Sequence, residues 1–204
     1  GVPVGNWEDK QNATNPIARW LYQNFLDSIK ELLLPLRTEI GTIVEVGCGE
    51  GNIALFLSRL DLANTIKGCD FSEKIIAVAR ENAKATSLAF YCKDIYHIDE
   101  QEQADLIVCC EVLEHLEVPE MAIEKLVSVT NKYCLLSVPN EPVWRLLNIC
   151  RGKYIKDFGN TPGHLNHWSS RRIVEIMSKY FDVVSVAKPL PWTIILGRKK
   201  KGNA

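Results

Sequence analysis

The chain is 204 residues long, 47% hydrophobic and 24% charged, with 24 basic against 25 acidic residues and a formal net charge of −1. That is the composition of a soluble globular protein with enough chain to bury a substantial core. The near-neutral balance excludes a broad positive field of the kind that gathers nucleic acid or an anionic membrane, so any basic contact must come from a local cluster.

Residues 6–15 are polar and without period. From Pro16 the pattern turns helical: Ile17, Trp20, Leu21, Phe25, Ile29, Leu32 and Leu33 share one face, with Asn15 placed to cap and Pro35 at or just past the end. An alternation follows. Thr42 to Val46 reads as a buried strand, then a glycine-rich turn, then a helix from Asn52 to Leu60. Thr65 to Cys69 is a second strand, followed by a helix over Ser72 to Thr86 with Ser72 as its cap. Ala89 to Cys92 and Leu106 to Cys110 are the third and fourth strands, Pro119 to about Val129 is a helix, and Tyr133 to Val138 is a fifth strand. Ser169 caps a last helix to Tyr180, before strands over Phe181 to Ala187 and Trp192 to Lys199 that are close enough to form a hairpin. Near-continuous apolar strands alternating with helices imply an α/β fold, a Rossmann-like, mostly parallel sheet with helices on both faces.

The seven cysteines (Cys48, Cys69, Cys92, Cys109, Cys110, Cys134, Cys150) are odd in number and include no C-x-x-C pair. They read as small apolar residues of a reducing compartment. No apolar run reaches membrane-spanning length, and no basic segment followed by an apolar one opens the chain. The expected location is therefore cytoplasmic. The basic tail Arg198 to Lys201 reads as a solvated terminus.

The strongest local signal is Glu45-Val46-Gly47-Cys48-Gly49-Glu50-Gly51, a strand running into an acid, then G-x-G-x-G, then a helix. Glycines let a backbone turn sharply and approach a ligand, and the carboxyl end of the first strand is where open α/β sheets bind one. A dinucleotide fingerprint would place its third glycine at position 52, which is Asn52 here. Glu45 suits a cationic ligand better than a pyrophosphate. Asp70 ends the second strand, 19 residues after Gly51, where a carboxylate can accept both hydroxyls of a ribose. Asp94-Ile95 follows the third strand and Glu111 the fourth. Taken singly, each acid could be a solvated strand end. Together, three acids at successive strand ends beside one glycine loop point to a shared cleft.

With these residues in view, the chain resembles the class I S-adenosylmethionine-dependent methyltransferases, in particular the group that includes the ubiquinone-biosynthesis O-methyltransferases. The motifs cover about residues 40–140 and the strand order nearly the whole chain. The resemblance implies seven strands with the last one antiparallel. Glu45, Gly47, Gly49 and Gly51 would surround the methionine part of the cofactor, Asp70 would take the ribose with Phe71 against the adenine, and Asp94 and Ile95 would frame the adenine. Glu111 would lie near the methionine moiety and the methyl group, and Arg19 of the first helix is a candidate partner for the cofactor carboxylate. The expected domain is a single one: a helical cap over 1–40, a cofactor core over 41–140, an acceptor-side insertion or lid over 141–168, and a closing helix and strand pair over 169–204.

Glu111-Val112-Leu113-Glu114-His115-Leu116 matches an E-x-L-E-H run found in many members of that group. Three readings stay open. His115, with His164 and Glu111, could serve acid–base chemistry, since imidazole titrates near neutral pH. Glu111, Glu114, His115 and His164 could hold a divalent metal, as a comparable set does in the small-RNA 3′-terminal 2′-O-methyltransferases. Glu114 and His115 could simply shape the turn into the next helix. The charge balance does not favour the RNA reading, and a metal is not required by the rest of the pattern. In 143–158, Val143, Trp144, Leu146, Leu147 and Ile149 mix with Arg145, Arg151, Lys153 and Lys156, followed by Tyr154, Ile155 and Phe158. That mixture suits a lid over the cleft or a peripheral membrane contact. The expected function is methyl transfer from S-adenosylmethionine to an oxygen or nitrogen of a small-molecule acceptor. The alternatives are a metal-assisted RNA 2′-O-methyltransferase, a non-catalytic binding protein of the same fold, and a nicotinamide oxidoreductase. Acceptor identity and oligomeric state lie beyond these residues.

Overall fold

A computed structural model describes residues 16–150, 160–161 and 163–201. In chain order the helices are α1 (Pro16–Leu33), α2 (Asn52–Ser58), α3 (Glu73–Asn82), α4 (Pro119–Val129), α5 (Val143–Cys150) and α6 (Ser170–Tyr180). The strands are β1 (Thr42–Val46), β2 (Thr65–Asp70), β3 (Ala89–Cys92), β4 (Ala104–Cys110), β5 (Thr130–Pro139), β6 (Phe181–Ala187) and β7 (Trp192–Lys199). They form one seven-stranded sheet in the order β3-β2-β1-β4-β5-β7-β6. Only β7 runs antiparallel to its neighbours β5 and β6. This is the α/β architecture expected from the alternation of strands and helices.

The side-chain period of two explains why both sheet faces are covered. In β1 Ile43 packs with α1, α2 and α3 through Phe25, Ile29, Leu57 and Ile76, while Val44 and Val46 pack with α4 and α6 through Ile123, Leu126, Ile173 and Met177. In β4, Leu106 and Val108 join the first cluster, and Ile107 and Cys109 the second. Both strands are correspondingly apolar apart from Thr42 and the buried Glu45 of β1 and the partly exposed Asp105 of β4.

The boundaries differ from the expected ones for local reasons. α3 stops at Asn82 instead of Thr86, and α2 at Ser58 instead of Leu60. β5 begins at Thr130, directly after α4, because the Thr130 hydroxyl bonds back to the Leu126 carbonyl at 2.6 Å while its Cα already pairs with Ala104. The tail is not simply solvated: the Lys200 ammonium donates to the carbonyls of Ser178 and Lys179 at 2.8 and 2.9 Å, closing the carboxyl end of α6. No helix among the described residues is long and apolar enough to cross a membrane.

The strand order reverses direction between β1 and β4, so the crevice at their carboxyl ends is the topological switch point, where sheets of this kind bind ligands. Asn15 and residues 151–159, including Arg151, Lys153, Tyr154, Ile155, Lys156 and Phe158, lie outside the described residues.

Candidate active site

One wall of the crevice is the turn after β1. Gly47 and Gly51 take left-handed φ of 74° and 80°. A Cβ on Gly47 would lie 2.3 Å from Val112 Cγ2, and one on Gly51 2.7 Å from Phe90 Cζ. The turn is therefore pressed against the segment after β4 on one side and against β3 on the other, and only glycine fits. Gly49 differs: a Cβ there would meet nothing within 4 Å, so it borders open space. Asp70 ties this turn to the next one. Its carboxylate accepts from Gly49 N–H and Ser72 N–H, both at 3.1 Å. Ser72 occupies the N-cap position of α3 as expected, but its side chain makes no capping bond. Phe71 beside it is 62% exposed, a large apolar ring at the crevice with little covering it.

Beneath the turn, Glu45 is buried at 2% exposure and accepts from Ala54 N–H of α2 at 2.9 Å. Burial pushes its carboxyl up to about 8, opposed by the Ala54 bond and aided by the nearby charge of Asp70. A narrow recess above it is lined by Glu45, Gly47, Cys48, Glu50, Ile53 and Cys110. Burial, with the neighbouring carboxylate of Glu45, also raises the Cys48 and Cys110 thiols, so neither is poised as a thiolate nucleophile.

The opposite wall is the end of β4. Glu111 adopts φ 59°, a left-handed conformation that a non-glycine residue holds at a cost of about 1–3 kcal/mol. Neighbouring bonds over-determine it. Glu111 N–H donates to the Ser137 carbonyl at 3.1 Å, while its carboxylate accepts from Ser137 Oγ at 3.1 Å and from Trp192 Nε1 at 2.7 Å.

The turn Leu113–His115 follows. His115 Nδ1 lies 2.9 Å from the Gly163 carbonyl. A carbonyl only accepts, so Nδ1 carries the hydrogen and Nε2 keeps its lone pair in the neutral ring. The His115 and His164 rings meet edge to face at 4.9 Å between centroids, and His164 stacks on Trp144 at 6.0 Å. Glu114 is buried at 1%, and its carbonyl accepts from Leu165 and Asn166 N–H at 2.7 and 3.0 Å. One ligand atom from each of Glu114, His115 and His164 falls within 4.8 Å of the others. The segment 163–166 is thus carried back over the β4 turn, which brings together two histidines 49 positions apart.

Residues 43–132 match the family model of a methyltransferase domain. The mitochondrial ubiquinone biosynthesis O-methyltransferase of Saccharomyces cerevisiae is 34% identical over 94 residues, covering 44% of this chain and 29% of that protein. The malonyl-[acyl-carrier protein] O-methyltransferase of Bacillus anthracis is 38% identical over 66 residues, covering 32% of this chain and 24% of that protein. The chain spans less than a third of the length of these curated relatives. Among solved structures, the magnesium protoporphyrin IX methyltransferase of Synechocystis PCC 6803 with bound SAH superposes with a TM-score of 0.72 at 18% identity, covering 96% of this chain and 93% of that one.

The chain has the fold of the class I methyltransferases. Within that fold the sequence-derived residues occupy distinct places. Glu45, Gly47, Gly49, Gly51, Asp70, Phe71 and Glu111 surround the switch-point crevice, and His115 and His164 stand together beyond Glu111. Asp94 caps its own turn by accepting from Tyr96 N–H at 2.9 Å, and Ile95 is 7% exposed with its side chain in the core. Arg19 is exposed on α1. Of the four candidate metal ligands the structure gathers three, while the Glu111 carboxylate is engaged by Ser137 and Trp192. α5 exposes Leu146 and Ile149 and turns Trp144 inward, where its indole N–H donates to Thr161 Oγ1 at 2.9 Å. Sequence reasoning missed Trp192 and Ser137 as site residues. Trp192 reads as an ordinary strand aromatic until β7 is placed beside β5.

Proposed function

We propose that this chain transfers the methyl group of S-adenosylmethionine to an oxygen or nitrogen of a small-molecule acceptor. The observation that carries the reading is the switch-point crevice itself, with an open glycine turn anchored by Asp70 on one wall and the Glu111 carboxylate on the other. S-adenosylmethionine would supply an electrophilic methyl on a sulfonium. In this reading Asp70 accepts the ribose hydroxyls, Phe71 covers the adenine beside Asp94 and Ile95, and Glu45 with the glycine turn holds the methionine end, where Arg19 is a candidate for its carboxylate. In this reading α1 belongs to a helical cap over the cofactor, and α5 with the segment 163–168 belongs to an acceptor-side lid. The acceptor's lone pair forms the new bond to the methyl carbon, and the carbon–sulfur pair returns to sulfur, leaving a neutral thioether. For a hydroxyl acceptor the proton passes to an imidazole, and His115 Nε2 is the favoured atom because its Nδ1 hydrogen is already committed to Gly163. Much of the acceleration comes from holding acceptor and sulfonium in line in a pocket shielded from water.

A second reading of the histidine pair rests on the Glu114, His115 and His164 cluster, whose chemistry suits a divalent cation. Ligands at about 2.1 Å from a metal stand about 3.4 Å apart at tetrahedral angles, so the set would have to draw in on binding. A titration of manganese or zinc, followed by transfer assays over phenolic, carboxylic and amine acceptors with His115→Ala and His164→Ala, separates the two. Metal-independent turnover lost in His115→Ala supports the base. Turnover restored only by metal supports the cation. Unchanged turnover in the double variant removes both roles.

A further inference from the structure

His115 is exposed, and an exposed neutral imidazole can carry its hydrogen on either ring nitrogen. Here a neighbouring stretch of chain makes the choice. The segment 161–168 is anchored at both ends. Thr161 Oγ1 accepts from Trp144 Nε1 at 2.9 Å and from Asn148 Nδ2 at 3.2 Å, and the carbonyl of the buried Trp168 accepts from Glu141 N–H at 2.8 Å. Between these anchors the segment is laced onto the turn that carries His115. The Asn166 amide Nδ2 donates one hydrogen to the Leu113 carbonyl at 3.2 Å and one to the Leu116 carbonyl at 2.6 Å, so it bridges the turn on both sides of His115. Leu165 N–H and Asn166 N–H share the Glu114 carbonyl. His164 N–H donates to the Thr161 carbonyl at 3.1 Å and closes a turn in which Gly163 takes a left-handed φ of 91°. In that conformation the Gly163 carbonyl faces His115 Nδ1 at 2.9 Å. A Cβ at 163 would come no nearer to Nδ1 than 3.7 Å, so glycine is needed there for its backbone and not for room.

We propose that Asn166 is a positioning residue that, together with Gly163, fixes the tautomer of His115 and so keeps a lone pair ready at Nε2. The inference rests on the functional reading of His115 and deepens it. Whether that lone pair takes a proton from an acceptor or binds a divalent cation, the hydrogen has to stay on Nδ1. Asn166 acts through other groups. Its amide grips the two carbonyls that flank His115, and its place in the chain sets Gly163 three positions earlier. Without that grip the Gly163 carbonyl loses its fixed distance to Nδ1. The imidazole then divides its hydrogen between both nitrogens, and the share with Nε2 free falls accordingly. The same lacing places His164, next to Gly163, edge to face with His115 at 4.9 Å between ring centroids.

The test is heteronuclear NMR of the histidine ring nitrogens in the wild type, Asn166→Asp and Gly163→Ala, with a chelator present and at about pH 8, above the ordinary imidazole range. Asn166→Asp keeps the size but turns acceptors towards both carbonyls. Gly163→Ala leaves Asn166 in place and strains the turn instead, so either variant alone decides the matter if the other fails to fold. Wild-type His115 should show the pattern of a ring protonated at Nδ1. Each variant should lower its ratio of Nδ1–H to Nε2–H forms by about threefold or more. His97, on the turn after β3, is the internal reference, and its unchanged signals report an intact fold. A wild-type His115 protonated at Nε2 overturns the proposal. So does an unchanged ratio in the folded variants, even where they lose stability in chemical denaturation, because a purely structural clasp would do only that. The readout needs neither cofactor nor acceptor. Turnover indifferent to His115→Ala, with the tautomer shifting as expected, would instead remove the acid–base reading and leave the positioning intact.

Discussion

Glu45 turns the account into a proton count. Its carboxyl sits at about 8 because it is buried and near Asp70, against an ordinary value of 4.5. At pH 7 it is about nine-tenths protonated in the empty crevice. A cationic amino group arriving beside it favours the ionised form, so binding should expel about 0.9 of a proton at pH 7. The sign follows: affinity for S-adenosylmethionine rises with pH between about 5 and 8, by at most about tenfold per unit, and levels off above 8. The assay is isothermal titration at pH 7 in phosphate, HEPES and Tris, plotting observed enthalpy against buffer ionisation enthalpy. The slope gives the protons released. Glu45→Gln keeps an acceptor for Ala54 N–H and removes the titration, so any slope that remains belongs to the ligand's own amine. A zero slope in the wild type, or the same slope in Glu45→Gln, would refute the placement of a cation at Glu45. The same group sets a stability trend in the empty protein. The folded value lies above the unfolded one, so the native state binds the extra proton. Stability should therefore fall as pH rises from about 4.5 to 8, by at most about 1.4 kcal/mol per unit, and Glu45→Gln should flatten the curve.

Three further outcomes follow from the geometry. Gly47→Ala would force a left-handed alanine whose Cβ meets Val112 at 2.3 Å, and it should lower unfolding stability by about 2–4 kcal/mol in chemical denaturation. Asp70→Asn keeps the size but weakens the acceptor for Gly49 and Ser72 N–H and for a ribose, so S-adenosylhomocysteine affinity measured by titration should drop at least about tenfold. His115→Ala should cut turnover of a hydroxyl acceptor by about 10²–10⁴-fold with little change in cofactor affinity, and the loss should shrink for acceptors that are already ionised.

Most of the architecture was legible because burial on both faces makes β1 and β4 predominantly apolar, because Gly47 and Gly51 are demanded by backbone geometry, and because Asp70 is the acceptor for the N–H groups of two turns. What stayed hidden depended on chain reversal. Position 192 meets position 111 only because β7 inserts antiparallel next to β5, pairing Trp192 with Pro139 and placing it one strand from the end of β4. No hydropathy pattern marks an indole as a carboxylate's donor. His164 could be paired with His115 from the resemblance, but the Glu114 carbonyl that accepts from Leu165 and Asn166 and fixes that return is a backbone atom, without a sequence signature. The start of β5 was missed because Asn131 and Lys132 are exposed there, and exposed polar residues do not announce a strand. Ser72 stands at the N-cap of α3 as read from its residue type, without a side-chain capping bond, and its own N–H donates to Asp70 two positions earlier.

The measurement that bears most directly on the central claim is equilibrium binding of S-adenosylmethionine, S-adenosylhomocysteine and NAD to the wild type and to Asp70→Asn, by titration calorimetry. The account predicts one-to-one binding of both adenosyl ligands, weakened by Asp70→Asn, and no comparable binding of NAD. Tight binding of NAD with neither adenosyl ligand bound, or adenosyl binding indifferent to Asp70→Asn, would contradict it.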